Sequence, residues 1–243
     1  MIKKIEGIIL SEVDYKESSK IINILTKEDG IIGVIARGAK RLKSPIANVT
    51  NKLTYGYFHI NSIENRMPTL IEVDILDSFK TIKKDLTKLS YSIFLLELSS
   101  GVYKHENNKN IYKLLIDSLT KINEGYDPMA ITNILELKFL EYLAILPVID
   151  KCVSCGSNKD IVTISSYKGG YLCKNCASND NIVTTKTIKL IRMFYYVDIS
   201  KISKLDISEN IKKEINDFID DYYDRYSGLY LKSKTFIREI ESR

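Results

Sequence analysis

Four residues of this chain have the type and spacing to hold a metal ion. Cys152 and Cys155 are separated by two residues, Cys173 and Cys176 likewise, and 17 residues lie between the pairs. They are all the cysteines in the sequence. A C-x2-C turn aims two thiolates at one point, and two such turns complete a tetrahedron with metal–sulfur bonds of about 2.3 Å. Gly156 suits the first turn because glycine accepts positive φ. Lys151 and Lys174 flank the pairs and favour thiolate over thiol. A shell of cysteine alone leaves no position open for water or substrate. The spacing therefore points to structural Zn2+, with iron the other ion such a shell takes, rather than to a catalytic metal. Two disulfides or two redox pairs are the competing readings. Disulfides belong to secreted proteins, whereas Met1-Ile2-Lys3-Lys4 leads into an acidic, alternating segment instead of the apolar run of a secretory signal. Tyr167-Lys168-Gly169-Gly170-Tyr171-Leu172 reads as a tight hairpin between the ligand turns, with the metal standing in for a core too small to fold alone.

The second constellation is electrostatic. No acidic residue occurs from Gly30 to Ile63, and the same stretch carries Arg37, Lys40, Arg41, Lys43 and Lys52. The first four crowd into a segment framed by Gly38 and Pro45, which reads as a loop. Such a cluster suits the backbone of a nucleic acid, which it would bind without regard to sequence; an ordinary solvated loop is the alternative. Tyr55, Tyr57 and His59 alternate on one strand face and are candidates for stacking on bases, or else for core packing. His59 and His105 are the only histidines, and neither lies in a catalytic motif. Asp217, Asp220, Asp221 and Asp224 form an acidic stripe that would hold Mg2+, meet a basic partner or simply face solvent.

Elements to position these groups are legible in the hydrophobic pattern. Residues 5–13 alternate, residues 20–27 contain Ile21, Ile22, Ile24 and Leu25, and Glu28-Asp29-Gly30 marks a hairpin into 31–36. Residues 53–60 and 69–76 read as a fourth and a fifth strand. Five short strands in about 80 residues predict a small barrel such as an OB-fold. Beyond residue 80 the period becomes helical, at Leu86–Ser100 and Ile111–Ile122. Asp127-Pro128 begins another helix, which Pro147 should end. Helices resume near residue 186, after Ser208 as a cap, and over roughly 233–241. The expected organisation is α+β: a five-stranded OB-fold barrel over 1–80, a helical domain over 81–150, a four-cysteine zinc module over 151–180 and the rest of the helical domain over 181–243.

Composition permits this and excludes other classes. Of 243 residues, 44% are apolar, enough for real cores, yet no apolar run is long enough to span a membrane. A reduced, cytoplasmic protein is expected. The net charge of +5 falls to about +3 once four thiolates and a divalent ion are counted, so overall charge argues little for nucleic acid. There is neither a P-loop nor a dinucleotide fingerprint.

Taken in order, several segments resemble the RecO family of bacterial recombination mediators. Ile8-Ile9-Leu10 with Asp14-Tyr15-Lys16-Glu17-Ser18-Ser19-Lys20-Ile21 is similar to that family's first two strands. Ala36-Arg37-Gly38-Ala39-Lys40-Arg41-Leu42-Lys43-Ser44 is similar to its basic loop, the cysteine quartet occupies the place of its zinc module, and Gly228–Phe236 resembles its closing Lys-Ser motif. The resemblance implies binding of single- and double-stranded DNA, annealing of complementary strands, and help in loading recombinase onto strands coated by single-strand-binding protein. It implies the RecR ring and single-strand-binding protein as partners, and it places Arg37, Lys40, Arg41 and Lys43 in the DNA-contacting loop. The expectation is a mediator without bond chemistry. A zinc-ribbon nuclease using the acidic stripe and a pure interaction scaffold are the other readings. Lys232 and Lys234 would extend the DNA surface, or Ser233 would simply cap an exposed helix.

Overall fold

The structure is a computed structural model that describes residues 1–178 and 180–241. Its first five strands are β1 (Ile2–Tyr15), β2 (Ser19–Thr26), β3 (Gly30–Ala36), β4 (Tyr55–Asn61) and β5 (Thr69–Asp77). They close into a barrel in the order β1-β2-β3-β5-β4, the OB-fold that the strand count predicts. All pairings are antiparallel except β3 with β5, which meet in parallel at Ile35 and Thr69. Strand β1 pairs twice. Its first half pairs with β4 and its second with β2, and a bulge between Ile9 and Ser11 bends it from one to the other. The changeover is at Gly7, opposite both Thr26 and Gly56. A Cβ on Gly7 would lie 2.6 Å from the Ile24 side chain and 2.9 Å from the Leu25 carbonyl oxygen, so only glycine lets the strands approach here. Alternation in β1–β5 sends Ile9, Ile22, Ile24, Val34, Phe58, Ile60 and Leu70 into one buried core.

Helices follow: α1 (Lys80–Lys83), α2 (Leu86–His105), α3 (Asn110–Glu124) and α4 (Pro128–Tyr142). Asp85 and Asp127 cap α2 and α4 by accepting the amides of Lys88 and Ala130, and Pro128 occupies the first turn of α4 as expected. Helix α4 does not run on to Pro147. It stops at Tyr142, and Ala144 turns left-handed at φ 56°. The hairpin β6 (Ile161–Ser165) and β7 (Gly170–Cys173) comes next, then α5 (Thr185–Tyr196), α6 (Glu209–Tyr226) and α7 (Lys232–Glu241). Ser208 stands at the cap position of α6, but its hydroxyl makes no capping bond; its carbonyl accepts the amides of Ile211 and Lys212. No helix among the described residues is long and apolar enough to cross a membrane.

The chain divides into two compact units. One unit is Met1–Asn123 together with the segment from Leu231 onward, and the other is Glu124–Tyr230. Helices α2 and α7 pack on one another within the barrel's unit. The second unit holds α4, α5 and α6 with the cysteine hairpin. There Lys212, only 7% exposed, reaches both Asp127 (2.6 Å) and Glu209 (2.7 Å).

Candidate nucleic-acid interface and metal centre

The chain between β3 and β4 is a run of tight turns, closed by bonds such as Arg41 amide to Gly38 carbonyl and Ser44 amide to Arg41 carbonyl, both 3.0 Å. Two buried residues anchor it: Ala39 inserts into the barrel core, and Leu53 bonds to Ile9 at the far end. Gly38, at φ 69°, makes the first turn. The Gly38 amide donates to the Ser19 hydroxyl and the Lys40 amide to the Ser18 carbonyl, which staples the loop to the β1–β2 turn. Anchored this way, the loop presents Arg37, Lys40, Arg41 and Lys43 to solvent, with Leu42 fully exposed at its tip.

The track is less uniformly positive than the loop sequence alone implies. Asp14 of β1 pairs with Lys40 at 2.6 Å, and Glu12 accepts the Lys52 amide at 3.0 Å. Lys52 also lies near the Glu97 carboxylate. Arg37, Arg41 and Lys43 have no ion-pair partner among the described residues. The acid-free stretch is thus real in sequence, but β1 delivers two carboxylates to its flank in space.

The tyrosines face outward from β4, as alternation requires, but they are engaged. Tyr55 stacks on Phe79 with centroids 6.0 Å apart, and its hydroxyl donates to Glu6. The buried Tyr112 hydroxyl donates to the same Glu6 oxygen at 3.0 Å. This removes Tyr55 from the expected stacking surface, since its ring belongs to the packing. Lys4 sits 4.4 Å from the Tyr57 ring centroid, and His59 bonds to Asp74 at 2.9 Å. Hydrogen bonds from His59 and Lys4 hold the Asp74 carboxyl below its usual range. The β4 face thus interleaves its aromatic rings with paired charges. The aromatic beside the basic loop is Tyr15, whose place at the end of a strand carries no sign of that role in the hydrophobic pattern.

The four cysteines converge. Their sulfurs all lie within 4.8 Å of one another, and Cys155 Sγ is 3.6 Å from Cys173 Sγ. A tetrahedron with metal–sulfur bonds of about 2.3 Å has edges of about 3.8 Å, so the cluster is sized for a metal ion. Burial pushes the Cys152 thiol up, but amides of Cys173, Cys155 and Ser154 outweigh this and bring it down to about 6. Hydrogen bonding among the sulfurs pushes Cys176 up to about 12. A divalent cation at the centre would replace these S–H bonds and hold all four residues as thiolates. Hairpin β6–β7 delivers Cys173, and Gly169, at φ 78°, makes its turn.

Comparison with known proteins bears on the whole chain. The sequence family described as recombination protein O N terminal matches residues 1–79, and that described as recombination protein O C terminal matches 83–235. The DNA repair protein RecO of Bacillus pumilus is 38% identical over 246 residues, covering 100% of this chain and 96% of the relative. That of Listeria monocytogenes serotype 4b is 36% identical over 98% of this chain and 95% of the relative, and that of Halalkalibacterium halodurans 37% identical over 100% and 96%. The chain belongs to the RecO family.

Two further features of this RecO chain decide between readings that the sequence left open. The acidic stripe of α6 forms no metal group: among the described residues only the cysteines bring three or more potential ligand atoms together. Asp221 is bonded to Arg225 at 2.8 Å and to the Ser166 hydroxyl. In the closing Lys-Ser motif Ser233 does not cap its own helix. Glu97 of α2 does so, accepting the amides of Lys232 (3.1 Å) and Ser233 (2.9 Å) and the Ser233 hydroxyl. Lys234 is 9% exposed, its ammonium 5.9 Å from the Phe94 ring centroid, which withdraws it from any DNA surface. Only Lys232 of this pair is exposed.

Glu97 gives a pH-dependent consequence. Burial pushes its carboxyl up, but the bonds from Ser233 and Lys232 outweigh this and hold it below the usual carboxylate range, with Lys52 adding to the effect. A depressed carboxyl stabilises the fold above its unfolded pKa of about 4.3, and the contribution is lost as pH falls through the folded value. Glu97→Gln is therefore expected to lower stability at pH 7 by about 1 kcal/mol, the worth of a half-exposed cap, or about 2–4 °C in Tm. The melting curves of variant and wild type should draw together as pH falls through the folded value of the Glu97 carboxyl; a gap independent of pH would reject the capping role.

Proposed function

We propose that this chain is a DNA repair and recombination mediator that works without bond chemistry. It binds single- and double-stranded DNA through phosphate neutralisation, anneals complementary strands and assists recombinase loading onto strands coated by single-strand-binding protein. Its partners are DNA, the RecR ring, single-strand-binding protein and, indirectly, the recombinase filament. It works in the bacterial cytoplasm at the nucleoid, with Zn2+ in the cysteine cluster as scaffolding.

The observation that carries this reading is the trio Arg37, Arg41 and Lys43: exposed, with no carboxylate partner among the described residues, and held on an anchored loop of an OB-fold barrel. Two complementary strands repel each other along their length. A surface that holds both lowers that repulsion and raises their local concentration, and base pairing then supplies specificity. The relatives' shared name, DNA repair protein, agrees with this. The test is incubation of complementary labelled strands with the protein and Mg2+. Faster annealing with both strands intact is expected, whereas cleavage would overturn the reading in favour of a nuclease.

A further inference from the structure

Where the basic loop meets the β1–β2 turn there is a pocket of ≈ 410 Å3, lined by Tyr15, Lys16, Ser19, Ile35, Arg37 and Arg41 among others. Its construction is specific. Lys16 takes the left-handed conformation at φ 54°, which turns the chain immediately after Tyr15, and its ammonium stands 5.3 Å from the Tyr15 ring centroid. Arg41 folds back over Gly38; a Cβ there would lie 3.5 Å from Arg41 Cδ. Ile35 contributes a half-buried aliphatic wall. No carboxylate is among the lining residues, and Asp14, next to Tyr15 in sequence, is turned to Lys40.

A flat aromatic and an aliphatic wall inside a ring of three cations suit a ligand that is part planar and part anionic. A single nucleotide of an unpaired strand has both parts. We propose that this pocket takes one unpaired base, stacked on Tyr15 beside Ile35, while Arg37 and Arg41 hold the adjoining phosphate. The inference rests on the reading of the loop as a DNA surface and adds a selectivity to it. A duplex keeps its bases stacked inside and offers the pocket only phosphates, so Tyr15 should serve single strands alone.

The experiment measures binding of three probes of equal length: oligothymidine, an abasic sugar-phosphate strand and a duplex. Wild type should prefer oligothymidine over the abasic strand, a comparison that needs no variant. Tyr15→Ala should weaken oligothymidine binding roughly 5- to 150-fold, the range of one lost aromatic stack. It should leave the abasic strand, the duplex and the salt slope as in wild type, and Tyr15→Phe, which keeps the ring, should bind all three normally. Equal affinity of wild type for oligothymidine and the abasic strand would overturn the proposal, as would a Tyr15→Ala loss shared by all three probes. The parent reading fails by a different result: duplex binding and salt slope that survive neutralisation of Arg37, Arg41 and Lys43.

Discussion

Neutralising Arg37, Lys40, Arg41 and Lys43 together is expected to flatten the salt dependence of DNA binding. Each cation paired with a phosphate of a single strand contributes about −0.7 to the slope of log K against log salt. Arg37, Arg41 and Lys43 have no ion-pair partner among the described residues, and Lys40 is held by Asp14 at 2.6 Å in an exposed pair. Such pairs are worth only about 0–1 kcal/mol, so a phosphate can displace the carboxylate. The loop then accounts for a slope of roughly −2.1 with three contacts and −2.8 with four. Between about 50 and 200 mM salt this is roughly a 20- to 50-fold loss of affinity that the neutralised variant should not show. Asp14→Asn provides the opposite test. By releasing Lys40 it should tighten binding and steepen the slope toward the four-contact value. Anisotropy titrations over a salt series measure both variants, and an unchanged slope in the neutralised protein would remove this loop from the interface.

Stripping the metal from the full chain, or replacing Cys152 and Cys173 with serine, should unfold the hairpin of β6 and β7. The module's own apolar core is small: Leu172 and Ala177 are buried with Cys152 and Cys173, and Val153, Ile161 and Val162 pack against them. That area cannot offset the conformational entropy of ordering about thirty residues. Zinc bound by four thiolates contributes apparent free energies of about 10–16 kcal/mol in small modules, as large as the stability of a whole domain. Metal analysis should find one Zn2+ per chain. Amide hydrogen exchange across residues 161–173 should lose its protection after chelation. Salt-dependent DNA binding should persist, because the basic loop belongs to the other compact unit. Hairpin protection that survives complete removal of the metal would show that packing alone holds the module.

Features that depend on neighbours a few residues away were legible in the chain itself. The C-x2-C turns, the Asp29-Gly30 hairpin and the Asp127-Pro128 helix start are of this kind, and all are found where the pattern puts them; the alternation read in β5 is not, since Leu70 alone is buried there while Ile71, Ile75 and Leu76 are exposed. The quartet's convergence follows from its spacing, because each C-x2-C turn is tight and the hairpin β6–β7 brings the second turn back beside the first, where the Val153 amide bonds to the Tyr171 carbonyl. The partners of the exposed groups were set by the folded arrangement instead. Asp14 meets Lys40 across 26 residues, and Glu97 caps α7 across 136. Tyr55 is taken up by Phe79, and Tyr15 lies with the arginines. Helix α7 likewise joins the barrel's unit although α4, α5 and α6 intervene in sequence. Periodicity states which side of an element is apolar and is silent on what comes to lie against the other side. Charge pairing and stacking act over a few ångströms of space, whatever the separation along the chain, so the composition of the candidate interface was settled only when β1 and the loop were brought together.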